Sequence, residues 1–171
     1  MAKCRSNVGS TAAQVQGGGV AYQHRLKPWP AWAAAEYRTL LASAHRLCQE
    51  AKLGLHQVKQ GDVLSLRKSL LRLVQQAREA ELAALRVERG REERRERRWP
   101  RWAIYALRLV IDGSRIVTYQ VETAVLEPRS WVEIERRLHH CLAAGQQMEL
   151  ALRSGPPPAG ETVSGYTEKG L

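Results

Sequence analysis

Apolar and polar residues alternate along the chain in more than one rhythm. The longest regular stretch is Val63, Leu66, Leu70, Leu73, Ala77, Ala80, Ala84 and Val87, separated by steps of three and four. That is a coiled-coil-like heptad seam on one side of a helix. Gly61 and Asp62 precede it, a breaker and then an acid able to accept the first free backbone N–H groups. Continued in the same steps, the seam lands on Arg91, Arg94 and Arg98, so one line changes from apolar to cationic. The spacing predicts a helix from Asp62 to at least Gly90 and onward toward Arg98. Upstream, Ala33, Tyr37, Leu40, Ala44, Leu47 and Ala51 repeat the steps, widened by Leu41, Cys48 and Leu55. They predict a first amphipathic helix that starts after Pro30 and ends between Gly54 and Gln60. The short connection makes the two an antiparallel αα-hairpin.

Beyond Trp99-Pro100, which should end a helix, the rhythm reads as strand. Tyr105, Leu107, Leu109 and Ile111 alternate with their neighbours, and Val117, Tyr119, Val121, Thr123 and Val125 do so after Asp112-Gly113-Ser114. A three-residue loop would set Leu109 opposite Val117 and keep one face apolar, so a β-hairpin with an odd-length turn is expected. Trp131, Ile134, Leu138, Cys141, Gly145, Met148 and Leu152 then predict a third helix, opened by a Ser130–Glu133 capping box. The expected fold class is therefore α+β, mainly helical, in the order α-α-β-β-α, over a single domain at 29–153. A flexible basic arm (1–28) and a disordered tail (154–171) should flank it. No internal repeat is evident.

Charge adds a bias toward anions. The chain of 171 residues holds 27 Lys and Arg against 17 acids, a net charge of +10, and 21 of the cations are arginine. Guanidinium forks suit phosphate and carboxylate, so nucleic acid, an acidic protein or anionic lipid are the partners such a surface favours. An arginine-inflating genome gives the same composition with no binding role. Three scattered cysteines do not form a disulfide scaffold, no run of about 18 apolar residues exists to span a membrane, and a cytoplasmic location is expected. The stretch before Glu36 lacks acids, as transit peptides do, but Gly17-Gly18-Gly19 spoils an amphipathic pattern.

Chemistry-bearing motifs are mostly lacking. There is no phosphate-cradling glycine motif, no nucleophile motif and no candidate carboxylate pair, so neither enzymatic activity nor a cofactor is expected. His45 with Cys48, and His139-His140 with Cys141, could in principle supply metal ligands. Both cysteines, however, fall on apolar stripes, and no Cys-x-x-Cys pair occurs. The remaining candidates are the arginines and tryptophans at the end of the second helix. Residues Arg91, Arg94, Arg95, Arg97, Arg98 and Arg101 run beside Trp99 and Trp102, while Lys27 and Trp29 precede the first helix. The hairpin topology brings Trp29-Pro30-Ala31-Trp32 and Trp99-Pro100-Arg101-Trp102 to the same end. There they could plug the hairpin or stack bases. Two functions are carried forward. The first is a small basic accessory protein that binds nucleic acid, DNA before RNA, with a bacterial or mobile-element composition. The second is a helical module for a partner protein or a homodimer.

Overall fold

The computed structural model describes residues 28–96, 99–127, 130–156 and 158. The expected basic arm, apart from Pro28, and most of the expected tail lie outside them. Among the described residues the chain forms four α-helices and no strand. They are α1 (Ala34–Gln60, entered through a 3-10 turn at Ala31–Ala33), α2 (Val63–Glu93), α3 (Arg101–Glu122) and α4 (Trp131–Arg153).

The α+β class and its β-hairpin are overturned. Residues 105–125 form α3 and the segment after it. The buried positions of α3 are Ala103, Ala106, Leu107, Val110, Ile111, Gly113, Ser114 and Val117, a helical set that period-two reading scrambles. Asp112-Gly113-Ser114, expected as the turn, lies in mid-helix. Asp112 faces solvent, while Gly113 and Ser114 face the core. A Cβ on Gly113 would stand 2.8 Å from Met148 Sδ, so this glycine lets α4 come close. The β-branched residues of this stretch follow their packing rather than their propensity.

Each helix packs on its neighbours in sequence, and α1 also packs on α4, which closes a ring of four. Gly54 near the end of α1 admits Leu138 from the start of α4, where a Cβ would sit 3.0 Å away. The Tyr37 hydroxyl near the start of α1 donates to the carbonyl of Leu152 at the end of α4, 3.2 Å apart. The core holds Leu40, Leu47, Leu66, Leu73, Leu107, Ile134, Leu138 and Met148, each 0–1% exposed, joined by many alanines. Small residues permit close helix–helix approach.

The αα-hairpin is as expected. Asp62 caps α2 by accepting from the Ser65 amide at 3.0 Å, and that bond with the Ser65 hydroxyl holds its carboxyl below the usual range. Gly61, at φ 70°, ends α1 in a Schellman turn: Gly61 N–H donates to Val58 and Asp62 N–H to Gln57, both at 3.1 Å. The inner seam is buried from Leu66 to Val87, while its first position, Val63, is 40% exposed. The expected capping box of α4 does not form, since the Ser130 side chain makes no cap bond. Glu133 instead binds Arg136 and Arg137, which pull its carboxyl down to about 2. Arg137 also donates to the Gln120 carbonyl at 3.0 Å and to the Thr123 hydroxyl, tying α4 to the end of α3.

Candidate functional site

One end of the ring gathers the start of α1, the end of α2, the start of α3 and the end of α4, and the two Trp-Pro-x-Trp segments meet there. The Trp29 ring lies 5.2 Å from Tyr37, 5.5 Å from Trp99 and 6.1 Å from Trp102, centroid to centroid, and Trp32 lies 5.8 Å from Trp99. Trp29 and Trp99 are buried; Trp32 and Trp102 are partly buried against the core. Glu96 locks the cluster: one carboxylate oxygen accepts from Trp32 Nε1 at 3.0 Å and the other from Trp99 Nε1 at 2.7 Å. Gly155 lies flat on Trp102, where any Cβ would overlap the indole. The tryptophans expected to stack bases therefore spend their faces on one another, on Arg94 and on Gly155. This end is an aromatic plug.

The motif that positions the plug also explains α3. Trp29-Pro30 leads into the first helical turn, and Trp99-Pro100 leads into α3, with each proline in extended backbone just before the helix. Read as a stop signal, Trp99-Pro100 concealed a start. The sequence shows the two Trp-Pro-x-Trp segments and their meeting; that both open helices is what it did not show.

The arginines fall into committed and uncommitted sets. Arg86 makes a two-pronged bond to Glu36, both 2.9 Å, and Arg89 pairs with Glu93 at 2.9 Å. Arg94 lies 4.3 Å over the Trp32 ring and donates to the Gly90 carbonyl at 3.2 Å. Arg91, Arg95 and Arg101 have no carboxylate partner among the described residues. Lys27, Arg97 and Arg98 lie outside the described residues. The helix passes Gly90, as expected, and stops at Glu93, short of Arg98.

That stop is unusual. Arg95 N–H donates to Glu92 at 3.0 Å and Glu96 N–H to Arg91 at 3.2 Å, the same Schellman pair seen at Gly61. Here the left-handed position belongs to arginine, at φ 50°. An L-residue with a Cβ costs about 1–2 kcal/mol there. The turn swings Arg95 into solvent, where Arg91, Glu92, Arg95 and Glu96 line a small cleft of about 270 Å³.

A second basic surface was not singled out from sequence. The exposed positions of α1 include Arg38, Arg46, Gln49, Lys52, His56 and Lys59, and no acid. Both acids of α1 turn toward α2: Glu36 to Arg86, and Glu50 to Arg72 at 3.5 Å. They are 14 residues apart, four helical turns, and so share a side; that spacing was the legible signal. Beside Arg38 and Arg46, a cleft of about 410 Å³ is completed by His45, Gln49 and Arg153. Its Arg153 also holds Glu149 at 2.9 Å, and Glu149 lies 3.6 Å from His45.

Among the described residues no three His, Cys, Asp or Glu side chains gather closely enough to hold a metal ion. Cys48 packs against Gly145 and Cys141 is buried, which pushes its thiol up to about 12. No helix among the described residues is long and apolar enough to cross a membrane. Compared with protein families, with curated proteins and with solved structures, the chain has no match.

Proposed function

We propose that the protein is a small, basic, non-enzymatic accessory protein of the cytoplasm that binds nucleic acid, with duplex DNA as the first candidate. The observation that carries this reading is the acid-free outer face of α1. From Arg38 to Lys59 that face runs about 32 Å at 1.5 Å per residue. One turn of B-form DNA is about 34–36 Å. Cations along such a rod can follow a phosphate backbone, releasing counterions and giving salt-dependent affinity. Arg91, Arg95 and Arg101, none of which pairs with a carboxylate among the described residues, add guanidinium groups at the plugged end, where the strained backbone at Arg95 holds one of them in solvent. The tryptophans contribute rigidity to that end rather than base contacts.

The test is binding of labelled duplex DNA and of RNA measured at rising salt. Retention at about 50 mM salt with a steep salt slope is expected. Replacing Arg38, Arg46, Lys52 and Lys59 by Gln should reduce that slope by about three units. An unchanged slope would move the contact to the α2 end, and no retention of either polymer at low salt would end the proposal.

A further inference from the structure

Helix α2 carries a second seam that its own bundle leaves open. Leu64, Leu71, Leu82 and Leu85 are 75%, 67%, 56% and 39% exposed. With Lys68, Gln75 and Arg78 they form one outward line, again in steps of three and four. Beside this line a groove of about 780 Å³ opens between α2 and the end of α3, with Val74, Val121 and Leu126 in its walls. Isolated exposed leucines are ordinary, but a row of them flanking a groove marks a contact surface. The charges around it are nearly balanced. Arg78 is held by Glu122 at 2.7 Å, Arg86 by Glu36 at 2.9 Å and Arg72 by Glu50 at 3.5 Å, while Arg67 and Lys68 stand beside Glu79. The outer face of α1, by contrast, exposes cations and no acid. In a chain of net charge +10, the α2–α3 face is therefore where two copies meet with least repulsion.

We propose that this face of α2 docks a second copy of the chain, as an antiparallel pair with twofold symmetry. The sequence of the line is complementary to itself when Leu71 lies on Leu82 of the mate. The twofold axis makes each contact twice. Gln75 then faces Arg78 of the mate, and the aliphatic stem of Lys68 lies along Leu85 of the mate. On the flanks, Glu79, which has no ion-pair partner among the described residues, comes beside Arg72 of the mate, and Arg67 comes beside Glu81 of the mate. No two like charges stand directly opposite. A shift of one heptad, to Leu64 on Leu82, would set Lys68 on Arg78, so charge fixes the register. One helix line with a groove beside it is a smaller contact than the about 800 Å² per partner of a standard interface. The pair should therefore be weak, with a dissociation constant of about 10–100 μM, and the outer line is open at low concentration. The acid-free face of α1 takes no part, so the pair forms without nucleic acid.

The test is sedimentation equilibrium of the nuclease-treated full chain from about 2 to about 500 μM, at about 0.15 M salt. The average mass should rise from that of one chain toward that of two across this range and go no higher. Leu71→Ser with Leu82→Ser should weaken the association at least about tenfold, while the melting temperature at low concentration stays in place. Glu79→Lys sets like charges beside Arg72 of the mate and should weaken it about three- to tenfold, more at low salt. This variant leaves the leucines untouched and carries the test should the double variant unfold. A mass of one chain at every concentration, growth beyond two chains, or a dimer that these substitutions leave intact would overturn the proposal. Because no nucleic acid is present, none of these outcomes bears on the function proposed above.

Discussion

The two seams of α2 share a helix, a spacing and an abundance of leucine, yet one is shut and the other open. The inner seam runs from Leu66 through Leu73, Ala77, Ala80 and Ala84 to Val87, every one of them fully buried. The outer seam, at Leu64, Leu71, Leu82 and Leu85, meets solvent. Heptad spacing therefore says which residues share a side, not whether that side is covered. What separates the two is the intervening chemistry. The inner line shrinks to alanine where α1 and α3 close on α2, whereas the outer line keeps large side chains among cations. Small residues within a seam signal that a neighbouring backbone is close; large residues mixed with charge signal a surface that still has room.

The largest effect should come from cutting the inner seam. Leu73→Ala removes a fully buried side chain and should cost about 2–5 kcal/mol, read as a lower denaturation midpoint with unchanged slope. Cys141 gives an independent readout, since burial holds its thiol near 12 and out of reach of thiol reagents. In a Cys4→Ser background, opening-limited labelling of the buried thiols should accelerate roughly 30-fold or more. Next in size is Ala80→Leu, which lengthens a side chain where none is exposed and should cost about 1–3 kcal/mol by overpacking. If Ala80→Leu were neutral, the inner seam would hold spare volume and the contrast with the outer one would weaken.

A third change separates the seam from the ends that frame it. Two helix ends use the same hydrogen-bond pair, one around Gly61 and one around Arg95. Arg95→Gly removes the Cβ from the left-handed position and should stabilise the fold by up to about 1 kcal/mol. At low salt it should also weaken duplex-DNA binding, if Arg95 touches phosphate. A gain in stability with no loss of binding would leave the arginine at this turn unexplained.

These elements were unequally legible in the sequence. The αα-hairpin was readable because Leu and Ala kept strict steps and Gly61-Asp62 punctuated them. The meeting of the two Trp-Pro segments followed from that topology alone. The β-hairpin was a misreading with a physical cause. Residues 103–121 are so densely apolar that both periods find support, and the helical set is anchored by Ala103, Ala106, Gly113 and Ser114, which carry little hydrophobic signal. A glycine needed for the approach of Met148 looked like a glycine needed for a turn. The arginine strip was visible, but its division was not: Glu36 binds Arg86 from 50 residues away, and the indole of Trp32 lies under Arg94 from 62 positions upstream. The acid-free face of α1 was present in the spacing of Glu36 and Glu50. Its signal is the placement of acids, which the density of arginine further along the chain masks.

The smallest effect is the one that tests the comparison most sharply. Leu71 and Leu73 are two positions apart on one helix, and Leu→Ala deletes the same atoms at each. At Leu73 those atoms are enclosed. At Leu71, 67% exposed, little apolar surface returns to water that was not already there. Alanine also has a slightly better helix propensity than leucine, which offsets part of any loss. Leu71→Ala should therefore change stability by no more than about 0.5 kcal/mol, within the range for surface substitutions. Denaturant titrations of both variants under one set of conditions make the comparison direct. A loss at Leu71 approaching that at Leu73 would mean that the outer line is already covered in solution, and the measured mass would then show whether a second copy covers it.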